Sequence, residues 1–144
     1  MSVPVSLDRI SVSLGGRTVL DELSLQVAAG EFITLLGASG SGKTTTLSVI
    51  AGLVQQTSGV VRIGGADVSR LAPEARDVGV VFQSYALFPH LSVAENVAFP
   101  LRARRVPAAE RTRRVEEALE LVQLGGFGPR PASRLSGGQQ QRVA

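Results

Sequence analysis

The stretch that decides the fold is Gly37-Ala38-Ser39-Gly40-Ser41-Gly42-Lys43-Thr44. It fits the pattern G-x-x-x-x-G-K-[ST], in which glycines let main-chain N–H groups turn inward toward phosphate oxygens. The apolar run before it, Glu31 to Leu36, predicts a buried strand, and residues Lys43 to Ala51 predict a helix that Gly52 ends. This strand–loop–helix context favours a phosphate-binding loop over a chance glycine-rich turn.

The residue types in the loop match the chemistry of a bound triphosphate. A helix that begins near Gly42 directs its positive end at the phosphates. Lys43 supplies a mobile positive charge for the β- and γ-phosphates, and the Thr44 hydroxyl is a ligand for Mg²⁺. The loop therefore predicts nucleotide binding, but by itself it leaves the family of phosphate-loop protein open.

Upstream of the loop, apolar and polar residues alternate as they do in half-buried strands. The pattern predicts strands from Val3 to Leu14, interrupted by a turn near Asp8-Arg9. Gly15-Gly16 predicts a hairpin turn, Val19 to Val27 the returning strand, and Ala28-Ala29-Gly30 a further turn. The chain is thus expected to begin with an antiparallel β-subdomain.

Downstream of the loop, the pattern predicts strands first and helices afterwards. Gly59 to Ile63 predicts a strand, and Val78 to Phe82 predicts a buried strand of the parallel kind. We therefore expect an α/β core over about 1–91 and a helical subdomain over about 92–144.

The predicted helices carry their own boundary signals. Ser92 to Arg102 is expected to be helical, with Ser92 and Glu95 spaced as a capping box. Pro107 suits the first turn of a second helix, and Gly125-Gly126 suits its end. The apolar stripe of that second helix comprises Val115, Ala118, Leu119 and Val122.

A second glycine-rich motif, Leu135-Ser136-Gly137-Gly138-Gln139, begins the last helix. Ser136 suits a helix N-cap, and the two glycines expose main-chain N–H groups at the positive helix end. One triphosphate needs one phosphate loop, so a second anion site in the chain suggests action on the nucleotide of another copy.

These residues are similar to the signature motif of ABC ATPases, and further stretches resemble that family in order. Gly30-Glu31 resembles the approach to the phosphate loop, and Val80-Val81-Phe82-Gln83 resembles the strand entering the Q-loop. Residues 85–93, with Glu95-Asn96-Val97, resemble the segment that faces the permease. The resemblance is closest to importer ATPases serving polyamines, ferric iron, phosphonates and similar solutes. It implies a P-loop NTPase core with an antiparallel β-subdomain and a helical subdomain, here an incomplete ABC ATPase domain.

The resemblance also implies roles for individual residues and a set of partners. Gly37, Ala38, Ser39, Gly40, Ser41, Gly42, Lys43, Thr44 and Thr45 would hold the triphosphate of ATP, with Lys43 catalytic. Gln83 would reach Mg²⁺ and the attacking water. Leu135, Ser136, Gly137, Gly138 and Gln139 would close on the partner's ATP in a head-to-tail dimer, a homodimer or a pair of related subunits. Permease subunits and a solute-binding protein would complete the system at the cytoplasmic face of the membrane.

The sequence departs from the family pattern in two places. Leu14 occupies the position where an aromatic residue usually stacks on adenine, so weaker or less selective ATP binding is expected. The chain also ends at Ala144, ahead of the family's Walker B strand with its Asp and general-base Glu, and ahead of the switch His. We therefore expect the 144-residue chain alone to be marginally stable and not to hydrolyse ATP at a useful rate.

Composition excludes several other classes of protein. The chain has no cysteine and one histidine, His90, which excludes a disulfide scaffold and any multi-histidine metal site. The net charge of +3 is modest, and no aromatic residues interleave with the arginines between 102 and 114, so a solvated helical face is favoured over nucleic-acid binding. No signal peptide and no membrane-spanning run is predicted.

The alternatives left open are a non-transport ABC ATPase acting on DNA or ribosomes, a P-loop kinase and an inactive truncated product. Leu135 follows Lys43 by only 92 positions (135 − 43), with no heptad run between them, which argues against the DNA-repair type. A P-loop kinase would not need Leu135 to Gln139.

Overall fold

The computed structural model describes residues 2–144. They form two compact units, one up to Val80 and one from Val81 onward. The first unit contains β1 (Val5–Leu14), β2 (Arg17–Val27), α1 (Lys43–Ala51), β3 (Ser58–Ile63) and β4 (Ala66–Asp67). The second contains α2 (Val93–Ala103), α3 (Ala108–Leu121) and α4 (Gly137–Val143), and short 3₁₀ turns lie at Pro73–Ala75 and Ala132–Arg134.

The sheet of the first unit is antiparallel, with the strand order β2-β1-β3-β4. The hairpin between β1 and β2 turns at Gly15-Gly16, as the sequence predicts, and both glycines have positive φ (55° and 79°). Strand β1 also pairs with β3, with Leu7 opposite Val61. Alternate residues of these strands therefore face one core, and the expected antiparallel β-subdomain is present.

The turn predicted near Asp8-Arg9 is a bulge within one continuous strand. Arg9 has a φ of +45°, and the pairing of β1 with β2 shifts between Leu7 and Ile10. Arg9 N–H donates to the Ser24 hydroxyl, 3.0 Å away, which keeps the bulged residue attached to β2. A bulge and a turn give the same break in apolar alternation, so the sequence could not separate them.

Two other predicted strands are not formed. Residues Glu31–Leu36 and Val78–Phe82 form neither helix nor strand and join no sheet among residues 2–144. Their apolar side chains face solvent: Phe32 is 92% exposed, Leu36 89% and Val81 73%. A strand of the parallel kind exists only through a neighbouring strand, and composition alone does not reveal whether that neighbour is present.

Helix α1 packs on β2, and its Val49 joins the core of the first unit. That core also includes Leu7, Ile10, Val12, Leu20, Val61 and Val68. Gly52, in the left-handed conformation (φ 79°), ends the helix at the predicted residue.

In the second unit, α2 and α3 pack on each other around Val93, Ala98, Val115, Leu119, Leu124 and Leu135. The predicted capping box of α2 is present, with Ser92 and Glu95 bonded reciprocally. Pro107 precedes the first residue of α3. Across residues 2–144, every helix is too short or too polar to traverse a bilayer.

Candidate nucleotide site

The first turn of α1 lacks a side-chain cap. Its N-cap residue is Gly42, with φ 89° and ψ 0°, and no side chain accepts a hydrogen bond from the turn. The N–H of Thr46 is bonded to Gly42 O at 2.8 Å, but the earlier N–H groups of a helix have no acceptor inside it. The positive end of α1 is therefore available to an anion.

Two glycines allow close contacts at the loop, Gly42 with β2 and Gly37 within the loop itself. A Cβ on Gly42 would lie 2.6 Å from Leu20 Cδ2 and 3.3 Å from the Val19 carbonyl oxygen. A Cβ on Gly37 would lie 2.8 Å from Ser41 Oγ. The loop thus rests directly on β2, which fixes where α1 begins.

The Lys43 side chain folds back over the loop. Its Nζ donates to Gly37 O at 2.8 Å, to Ala38 O at 2.7 Å and to Ser41 Oγ at 3.3 Å. The ammonium is therefore held by three neutral oxygens close to the start of α1. A phosphate oxygen is a stronger partner for an ammonium than a carbonyl, so a bound phosphate would compete for it.

Further along α1, the side chains sort by exposure. Thr46 is buried, and its hydroxyl donates to Gly42 O at 3.0 Å. Thr44 is exposed, and Thr45 is half-buried. Leu14, at the predicted adenine position, is exposed at the end of β1. The structure thus assembles the predicted residues 37–45 into one loop and helix start.

The other predicted site residues belong to the second unit. Gln83 is exposed in a short turn, followed by Tyr85 and Ala86 with φ of 61° and 49°. Two consecutive non-glycine residues in the left-handed region are uncommon and mark this turn as strained. Gln83 is therefore carried by irregular backbone.

The motif Leu135–Gln139 begins α4 with a reciprocal cap. Ser136 N–H donates to Gln139 Oε1 at 3.0 Å, and Gln139 N–H donates to Ser136 Oγ at 3.4 Å. Leu135 is buried in the core of the second unit, which anchors the motif. Gly137 and Gly138 are exposed, and a Cβ on either would meet nothing within 4 Å.

Asn96 is a residue that the sequence reading missed. Its buried side chain accepts from Phe88 N–H at 2.8 Å and donates to Phe88 O at 3.1 Å and to Ser92 O at 2.9 Å. It thereby fixes the loop ahead of α2, where the Phe88 ring packs on Phe99 with centroids 4.6 Å apart. A polar residue on the inner face of a predicted helix was the available signal.

Ion pairs support the interpretation of the arginines between 102 and 114 as a solvated face. Arg113 pairs with Glu117 at 2.7 Å, and Arg114 pairs with Glu110, both one helical turn apart. Arg102 lies 3.9 Å from Glu95. These pairs place three of the six arginines in this stretch beside glutamates, as on a solvated helical face.

The fold and the loop together define a protein of the α/β P-loop class. A family profile described as ABC transporter matches residues 20–144. The chain is 53% identical over 144 residues to the spermidine/putrescine import ATP-binding protein PotA of Thermobifida fusca (strain YX), covering 97% of this chain and 38% of that protein. It is 49% identical over 138 residues to the Fe(3+) ions import ATP-binding protein FbpC of Pasteurella multocida (strain Pm70), covering 96% and 40%.

A solved structure matches as well. It is a dimeric ATP-binding cassette in a post-hydrolysis state bound to ADP and Pi, 34% identical, with a TM-score of 0.86 over 96% of this chain and 66% of that chain. The chain belongs to the ABC transporter family, which confirms the resemblance and the fold class expected from the sequence. It spans 38–40% of the length of these curated relatives.

Proposed function

We propose that this chain binds the triphosphate of ATP at Gly37–Thr44 with Thr45. The observation that carries the proposal is the start of α1, which has no side-chain cap and lies beside the Lys43 ammonium. Mg²⁺ sites at nucleotides use few protein ligands, because the phosphates supply the rest. The exposed Thr44 hydroxyl suits such a site. The role of Gln83 at Mg²⁺ is proposed from the family resemblance alone. Residues 2–144 contain no cluster of three acidic, His or Cys side chains that could hold a metal without a nucleotide.

In the whole protein, ATP binding and hydrolysis would drive solute import through a membrane permease. Support comes from the relatives, which are named as import ATP-binding proteins, and from the dimeric ATP-binding cassette. Leu135–Gln139 would face the γ-phosphate held by a second subunit, and the protein would act at the cytoplasmic face of the membrane with a solute-binding protein in the system. The relatives' names give different solutes, spermidine/putrescine and Fe(3+), at about 50% identity, so we propose that the permease and receptor choose the solute.

A chemical property of the chain gives a direct test. Lys43 is its single lysine, so an amine-selective reagent has two targets, the Lys43 ammonium and the α-amino group. ATP with Mg²⁺ should protect Lys43 from modification and leave the α-amino group reactive. Peptide mass spectrometry measures both in one sample. Equal modification of Lys43 with and without saturating ATP would contradict the proposal.

A binding titration gives the second arm. Lys43→Ala should weaken ATP binding by about tenfold or more, because a charge-assisted contact to phosphate is lost. Arg70→Ala, which removes an exposed positive charge from the same unit, should bind like the unchanged chain. If both variants lose the same affinity, the effect is general electrostatics and the loop is not the site.

That the 144-residue chain does not turn over ATP remains a prediction. Phosphate release at saturating ATP, compared between the unchanged chain and Lys43→Ala, measures it. Turnover that disappears in Lys43→Ala would contradict the prediction, whereas binding without turnover would agree with it.

A further inference from the structure

Arg76 is a buried basic residue that the proposed chemistry does not use. Its side chain is 4% exposed and follows the short turn Pro73–Ala75. The guanidinium donates to Val49 O at 2.7 Å, Ile50 O at 3.1 Å and Leu71 O at 3.0 Å, with a longer bond to Ser69 O at 3.4 Å. It thus ties the last turn of α1 to the segment after β4.

These carbonyl acceptors explain why a positively charged side chain lies in this position. The last carbonyl groups of a helix have no donor inside the helix and carry partial negative charge. Burial lowers the pKa of Arg76, which is the cost of removing a cation from water. An apolar side chain of similar length would fill the same space, so packing alone does not account for a guanidinium here.

The end of α1 is shaped around this side chain. A Cβ on Gly52 would lie 2.6 Å from Arg76 Nε and 2.9 Å from Cζ. Gly52 therefore ends the helix and also leaves room for the guanidinium beneath it. Gly52 and Arg76 together fix the C-terminal end of α1.

We propose that Arg76 is a positioning residue for the phosphate loop, acting through α1; this rests on the proposed nucleotide site. The helix has nine residues, so it is about 13 Å long and too short to be stable by itself. Gly42 fixes its N-terminal end on β2, and Arg76 fixes the other end. Loss of the second anchor lets the helix tilt and displaces the N–H groups that meet the phosphates, where errors of about 1 Å are costly.

The test compares three variants of the full chain. Arg76→Met removes the hydrogen-bond donors and keeps the side-chain length. Arg76→Lys keeps the charge but not the forked guanidinium. Val61→Ala opens a cavity in the same core at a residue of β3 and leaves every residue of α1 unchanged. Kd values for ATP and for inorganic tripolyphosphate are measured well below each variant's melting temperature. Tripolyphosphate isolates the phosphate contacts, through which Arg76 is argued to act.

Arg76→Met should lower the affinity for ATP and for tripolyphosphate by about tenfold or more, and by the same factor for each. Arg76→Lys should recover part of that loss, and Val61→Ala should bind as the unchanged chain does while melting at a lower temperature. Folded Arg76→Met with unchanged affinity overturns the proposal. So does a loss that Val61→Ala shares, because Arg76 would then serve stability alone.

If Arg76→Met does not fold, Arg76→Lys decides between the outcomes: normal affinity in that variant overturns the proposal, and reduced affinity at full folding supports it. Failure of the proposed function is a separate result. In that case the unchanged chain binds neither ligand, and Lys43→Ala makes no difference.

Discussion

The helices α1 and α4 both start at a glycine-rich motif, yet their N-terminal ends differ. Helix α1 starts at Gly42, in the left-handed conformation and without a side-chain cap. Helix α4 starts at Ser136, and Gln139 closes a reciprocal cap with it. At a capped helix end, a side chain accepts a hydrogen bond from a main-chain N–H of the first turn. At an uncapped end, that N–H remains available to a ligand. Two helix ends of similar glycine content can therefore differ: one has no side-chain cap, and the other has one of its N–H groups bonded to its own N-cap side chain.

The largest effect is expected from a substitution at Gly42, the uncapped N-terminal end of α1. Gly42→Ala places a methyl group against Leu20 and forces a left-handed alanine, so the Leu20 side chain or the loop itself must shift. ATP affinity should fall by roughly a hundredfold or more. Gly30→Ala is the matched control, because Gly30 has a similar φ of 78° but open space around it. Both changes should cost about 1–2 kcal/mol of stability from backbone strain, and only the first should abolish binding in a titration.

A smaller effect is expected from removing the side-chain cap at a helix N-terminus. Ser92→Ala removes the cap of α2 and should lower the free energy of unfolding by about 1 kcal/mol, measured by urea denaturation. Ser136→Ala should cost less, because its bond from Gln139 N–H is longer, at 3.4 Å, and exposed. A larger loss in Ser136→Ala than in Ser92→Ala would contradict this ranking.

The smallest expected effect is a pH dependence of the α2 cap that the α4 cap should not share. Hydrogen bonds from the Ser92 N–H and hydroxyl lower the pKa of Glu95 below its usual 4.5. The stabilisation from this carboxylate is therefore fully present above pH 4.5 and is lost as pH falls through its lower, folded-state pKa. In thermal melts, the advantage over Glu95→Gln should shrink toward pH 3. Gln139→Ala removes an uncharged cap, and its effect should stay constant across the same range.

Local signals in the sequence predicted α1 and the cap of α2 to the residue. Gly52 ends α1, and Ser92 with Glu95 starts α2, through groups within a few positions of each other. Residues Glu31–Leu36 were predicted wrongly as a strand because a strand depends on a partner distant in the sequence. The role of Arg76 could not be predicted for a related reason, since its acceptors are main-chain carbonyls that any residue could supply.

For the candidate site, the motif predicted the loop and the helix that carries it. The left-handed conformation of Gly42 and its close approach to Leu20 could not be predicted from the motif, because they depend on how the loop packs against β2. The roles of Gln83 and of Leu135–Gln139 remain predictions, since they derive from the family resemblance. The role of Leu135–Gln139 also concerns a nucleotide held by another subunit.

The exposed run Val78–Phe82 has a practical consequence for anyone who purifies this chain. It is exposed, rich in β-branched residues, uncharged and free of proline, which are properties of segments that stack into intermolecular sheets. Phe32 and Leu36 add apolar surface in a second exposed run. Aggregation of the purified chain is therefore expected to increase with protein concentration. Val81→Lys is the first substitution to test against it.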